Sequence, residues 1–308
     1  MTRRPRLALG LPTFGGLLDG DPRGIVDVAV ACEDAGADEV VVSDHVVMGP
    51  DVSLYPWGRF PTGPDDPWLE PLTVLAAVAA ATRRVGLHTS ILVAPLRPAA
   101  LLAKQAATLD ALSGGRLSLG VGTGWQEAEF AAVGVDFAAR GRLLDETIGA
   151  CRALWTSAPA AFAGETIRFA DTWCSPRPDR PGGIPVSFSG RLTPRNLRRI
   201  VTLGDGWHPI MDATPGEVAD GVATLHRAYE DAGRDPATLT VHHTVRPVRA
   251  DGGRPDPAAT FAAIGPWVEA GVTTVGVGVR TWNADLAEVP DRAAEVVGAF
   301  RAAVGAGA

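Results

Sequence analysis

The chain has 308 residues, 46% of them hydrophobic and 20% charged, a balance that suits a globular protein with a large core and excludes a disordered one. A net charge of −7, with no long Lys/Arg block, argues against a nucleic-acid partner. No apolar run reaches the ~20 residues of a membrane span, Met1-Thr2-Arg3-Arg4-Pro5 lacks a signal-peptide core, and three scattered cysteines (Cys32, Cys151, Cys174) form no disulfide framework, so a cytoplasmic protein is expected.

Short apolar segments then alternate with helical patterns along the chain. Strand Leu7–Leu11 leads to helix Pro22–Ala35, Glu39–Ser43 to Pro71–Thr82, and Val85–Ile91 to Pro98–Leu112. Leu117–Val121 is followed by helix Arg140–Trp155, Val186–Phe188 by Pro194–Leu203, and Gly206–Pro209 by Pro215–Ala232. Thr240–Pro247 with Pro257–Ala270, and Thr274–Val279 with Val289–Val304, complete eight units. This pattern predicts a single (β/α)8 TIM barrel over residues 1–308, with an open doubly wound sheet as the runner-up. Thr193 and Thr214 precede prolines as expected helix N-caps. Gly36 and Gly233 fit left-handed helix ends. Two connections exceed a barrel turn: Val46–Glu70, rich in aromatics, and Thr156–Gly183, whose alternating Ala163–Ala170 stretch suggests a hairpin.

Four strand ends run into polar or glycine-rich loops: Ser43-Asp44-His45, Thr89-Ser90-Ile91, Gly122-Thr123-Gly124-Trp125 and Ser189-Gly190-Arg191. The carboxyl ends of parallel strands are where such folds carry chemistry, so the four are expected to build one pocket. His45 can donate or accept a proton near neutral pH, and Asp44 can meet a polar cofactor edge or shape the turn. Gly120–Gly124 matches a dinucleotide fingerprint poorly, because Trp125 stands where its last glycine belongs. Around Ser189–Arg195, a helix start, a Ser-Gly turn and the guanidiniums of Arg191 and Arg195 favour a phosphate. Arg198 and Arg199 read as solvated. Histidines 45, 88, 208, 242 and 243 raise a metal-dependent hydrolase, but Leu7–Leu11 carries no ligand, and His242 and His243 face opposite ways in a strand. No metal is therefore expected.

Together these motifs resemble the bacterial luciferase-like superfamily, especially the branch using the deazaflavin coenzyme F420. The resemblance rests on Leu9–Pro12, Val42–His45, Thr89–Leu92, Ala106–Arg116, Gly120–Trp125 with Glu127 and Glu129, and Leu203–Trp207. It implies an oxidoreductase, active as a homodimer, that passes a hydride between F420 and a small or medium-sized organic substrate. It implies Asp44 and His45 beside the reactive ring, with a cis peptide at Ser90-Ile91 bulging behind it. Gly122, Thr123 and Gly124 would run along the ring, and Ser189, Gly190 and Arg191 would take the phosphate. Trp207 is expected to pack structurally. Trp57, Trp68 and Trp125 would face substrate. Some sugar-oxidising relatives carry an acidic residue where this chain has Trp125, and the more frequent double glycine is here Ser-Gly-Arg. FMN with oxygen, in a monooxygenase, is the alternative, followed by a non-catalytic flavin- or deazaflavin-binding protein.

Overall fold

The strands alternate small or polar residues with branched apolar ones, and a computed structural model, which describes residues 4–15, 21–250, 253–282 and 285–305, shows where each set goes. Strand β1 (Arg6–Gly10) is followed by helix α1 (Gly24–Asp34), β2 (Glu39–Val42) by α2 (Pro71–Ala81), and β3 (Gly86–Val93) by α3 (Ala99–Ser113). Next come β4 (Leu117–Gly122), the short α4 (Glu127–Ala132), α5 (Arg140–Thr156), and a hairpin of β5 (Ala160–Ala163) and β6 (Arg168–Thr172). The chain continues through β7 (Val186–Ser189), α6 (Pro194–Leu203), β8 (Gly206–His208), α7 (Pro215–Asp231) and β9 (Thr240–Thr244). It ends with α8 (Pro257–Ala262), α9 (Gly265–Glu269), β10 (Thr274–Gly278), α10 (Val279–Trp282) and α11 (Val289–Gly305).

Eight parallel strands close a barrel in the order β1-β10-β9-β8-β7-β4-β3-β2, and the antiparallel hairpin stands outside it. The expected TIM barrel is therefore present. Leu117, Leu119 and Val121 pack outward into the core cluster shared with the helices. The period of two sends Ser118, Gly120 and Gly122 into the lumen. Thr193 and Thr214 cap α6 and α7, the latter through a full capping box with Glu217. Gly36 and Gly233 have φ of 89° and 67°, the left-handed values a helix end asks of glycine.

The expected single helix Pro257–Ala270 is two helices. Pro266 has no N–H to continue the ladder of α8, so the chain restarts at Gly265. The α4 helix has no counterpart in the sequence reading. The three cysteines are buried and unpaired, and burial pushes the Cys32 thiol up to about 12. Among the described residues no helix is long and apolar enough to cross a membrane.

Candidate active site

Beyond β2 the chain is pinned by Asp44. Its buried carboxylate accepts two bonds from Arg97, Nη2 to Oδ1 at 2.9 Å and Nη1 to Oδ2 at 2.7 Å, and a third from the Val93 amide at 2.8 Å. Arg97 also donates to Glu70 at 2.9 Å, tying the ends of β2 and β3 to the start of α2. Burial works against the Arg97 charge, but the bonds it donates to Asp44 and Glu70 offset this and leave its pKa above the usual value. Asp44 was expected to touch the cofactor; here its oxygens are committed to Arg97 and Val93, and it fixes the direction in which the next residue, His45, points.

His45 is 8% exposed and places Nδ1 3.0 Å from Oε2 of Glu129, a residue of α4 with no exposed surface. The other Glu129 oxygen accepts from the Val46 amide at 2.8 Å. Three aromatic rings stand edge-on to the imidazole: Trp68, Phe60 and Trp125, with centroids at 4.6, 5.4 and 5.8 Å. Tyr55 packs on Phe60 and Trp125, and Phe14 stacks on Trp68 at 4.1 Å. Residues 46–70 thus roof His45 with aromatic surface, and Gln126 ties them to the end of β4 through the Asp51 carbonyl at 3.1 Å. Of the three tryptophans expected at substrate, Trp68 and Trp125 reach this roof. Among the described residues Trp57 makes no ring contact with it; Phe60 and Tyr55 fill that place.

On the neighbouring strand β3, the Ser90-Ile91 peptide is cis, and the β3–β4 register shifts between Thr89 and Leu92. Gly122 lies between this bulge and β7: a Cβ there would stand 3.1 Å from Ile91 Cγ2 and 3.9 Å from Ser189 Cβ. Thr123 and Gly124 follow, partly exposed, and Gly124 has φ of 75°. The Ser189–Arg191 turn is held from beneath, since the Trp207 indole donates to the Gly190 carbonyl at 2.8 Å and Asn196 to the Arg191 carbonyl at 3.2 Å. Trp207 is structural, as expected. Arg191 is exposed and makes a long 3.4 Å contact with Asp212. Arg195 does not join the turn; its guanidinium bonds Asp145 at 2.8 and 3.1 Å. Nor is Arg199 solvated. It is buried against Asp145, Asn196 and the Gly141 carbonyl.

One layer below Gly122 the lumen holds three imidazoles. His88 and His208 face each other with Nε2 atoms 3.0 Å apart, and His242 stacks on both at 4.5 and 4.6 Å. Gly120 makes room for them, since a Cβ there would lie 2.9 and 3.0 Å from the two Nε2 atoms. Burial drives all three pKa values well below the usual histidine range. Their ligand atoms lie within 4.8 Å of one another, but in three near-parallel ring planes the lone pairs do not converge on a point. His243 points outward and stacks on Trp267. β3, β8 and β9 bring three of these histidines together, which a search for a ligand pair on the first strand does not reveal. Glu129 is a site residue not expected from the sequence, and its one sequence signal is its place five residues after Gly124.

The sequence profile of the family described as luciferase-like monooxygenase matches residues 7–252. An uncharacterized protein of Mycobacterium bovis is 34% identical over 278 residues, which cover 88% of this chain and 93% of that one. An F420-dependent glucose-6-phosphate dehydrogenase of Amycolatopsis mediterranei is 33% identical over 222 residues, 69% of this chain and 63% of that one. Among solved structures, an F420-dependent secondary alcohol dehydrogenase in complex with an F420-acetone adduct superposes with a TM-score of 0.76 at 19% identity, covering 97% of this chain and 99% of that one.

Proposed function

This chain belongs to the luciferase-like monooxygenase family, and on that premise we propose that it is an F420-dependent oxidoreductase acting on a small or medium-sized organic substrate with a planar or apolar part. The observation that carries the reading is the position of Gly122, where an added side chain would meet the Ile91 bulge on one side and the Ser189 turn on the other. The residues present fit a deazaflavin. Gly122 is a cradle that a side chain would fill, and the mouth beside it is partly exposed at Ser90, Ile91, Thr123 and Gly124. The Ser189 hydroxyl and the exposed Arg191 guanidinium suit the phosphate of the side chain.

When bound, the deazaflavin supplies hydride exchange at ring carbon C5. The chain's own residues do the rest. His45 gives or takes the substrate proton, with its ring held in place by Glu129. Trp68, Phe60 and Trp125 exclude water from that proton and offer flat apolar surface to the substrate. Trp125 also takes the place at which sugar-oxidising relatives have an acid, which favours a less polar substrate. A cytoplasmic homodimer belongs to the same reading, and sizing of the purified protein checks the dimer.

Fluorescence titration of the purified protein with F420 and with FMN tests the cofactor. Saturable quenching of F420 is expected at a concentration about tenfold below any FMN response. The reverse order would move the assignment to an FMN-dependent monooxygenase using oxygen, because the phosphate turn suits either tail. Tight F420 binding with no turnover against any alcohol or carbonyl substrate would leave only a carrier.

A further inference from the structure

We infer that Glu129 is the positioning residue of this site: its buried carboxylate sets the tautomer and orientation of His45, so that Nε2 is the atom His45 turns to the substrate. The inference rests on the proposed role of His45 but reads a different property, the location of one proton. Both Glu129 oxygens are spoken for, Oε1 by the Val46 N–H at 2.8 Å and Oε2 by His45 Nδ1 at 3.0 Å. A carboxylate only accepts hydrogen bonds, so Nδ1 must carry the hydrogen. In the neutral ring the lone pair then lies on Nε2, which can take a proton; in the protonated ring Nε2 gives it back.

The surroundings make this assignment strict. Glu129 has no exposed surface, and His45 keeps only 8%, so water does not stand in for either partner. The three aromatic rings edge-on to His45 hold it in place and offer no competing acceptor to Nδ1. Asp44 fixes the backbone one residue earlier through Arg97 and Val93. The orientation of His45 is therefore set at two points, by backbone at Asp44 and by side chain at Glu129. A purely structural role for Glu129 would need only its bond to the Val46 amide, which fastens the roof loop to α4.

The substitution Glu129→Gln separates the two roles. The glutamine oxygen can keep the Val46 bond, while its NH2 group then faces Nδ1 and donates. Nδ1 must accept, and the hydrogen moves to Nε2. Long-range nitrogen–proton NMR spectra of cofactor-free protein labelled at histidine read this directly, with the His45 signals assigned by their loss in His45→Asn. The wild type is expected to show a protonated-type Nδ1 and a lone-pair-type Nε2, and Glu129→Gln the opposite, with little change in melting temperature. A wild-type ring already protonated at Nε2, or one whose tautomer is the same in both proteins, would overturn the inference. The F420 titration is independent of this result, so failure of the cofactor assignment and failure of the Glu129 role are told apart.

Discussion

His88 and His208 meet head to head across the barrel lumen, with Nε2 atoms 3.0 Å apart and ring planes within 5° of each other. One ring must donate and the other accept, so the two are never both protonated at Nε2, and burial depresses both pKa values. With His242 stacked above, the barrel core keeps three imidazoles neutral. In the unfolded chain each would titrate near 6.5. Their folded pKa values are depressed, so the stability they share is complete above that pH and is lost as pH falls below it. While all three differ in this way, the loss reaches about 4 kcal/mol per pH unit at most. Denaturant unfolding between pH 7.5 and 5 should show this slope, and His242→Gln should reduce it by about one proton. A flat profile would mean that the lumen histidines titrate freely.

Asp44 and Arg97 form a two-bond pair that is almost sealed from water. Asp44→Asn leaves the guanidinium short of charge partners and should cost about 3–5 kcal/mol. Replacing both, as Asp44→Leu with Arg97→Met, should cost less than the single change, because no uncompensated charge stays behind. Urea unfolding of the three proteins checks the order; a double variant worse than Asp44→Asn would contradict it.

Gly120 and Gly122 are two residues apart but should respond differently to alanine. At Gly120 the new Cβ would lie 2.3 Å from the Thr89 carbonyl oxygen, a backbone atom that cannot move aside, and Gly120→Ala should yield little folded protein. At Gly122 the nearest atom is a methyl at 3.1 Å, so Gly122→Ala should fold within about 1–3 kcal/mol of wild type. Its F420 affinity should nevertheless fall about tenfold. Thermal melts and fluorescence titration give both numbers.

At the phosphate turn, Arg191→Ala removes one charge-assisted contact, worth about 1.5–3 kcal/mol, or roughly 10- to 100-fold in affinity. The loss should appear with F420 and vanish with the deazaflavin chromophore stripped of its phosphate tail. Trp207→Phe, which frees the Gly190 carbonyl, should give a smaller loss in the same direction. Equal losses for both ligands would place the phosphate elsewhere.

The barrel was legible because its strands are short, apolar and regularly spaced, two of its helices start at Thr-Pro, and Gly36 and Gly233 mark helix ends, signals that act locally. The positions of Gly122–Gly124 and Ser189–Arg191 at the barrel mouth were legible for the same reason, as strand ends run straight into them. What escaped was pairing over distance. Nothing within Gln126–Phe130 says that Glu129 will meet a ring 84 positions earlier, or that Arg97 will claim Asp44. The lumen histidines come from β3, β8 and β9, so only barrel closure puts them together. Arg195 and Arg199 were misread because the acid that holds them, Asp145, lies on another helix.

The register running from Arg6 opposite Thr274 to Gly10 opposite Gly278 joins the first strand to the last. During synthesis, β1 therefore waits with one edge bare until β10 has left the ribosome. Such a late, long-range closure is slow, and a bare apolar edge invites pairing with another chain in the meantime. Production of this protein should accordingly benefit from slower translation or added chaperone, and a peptide copying β10 should trap the nascent barrel open.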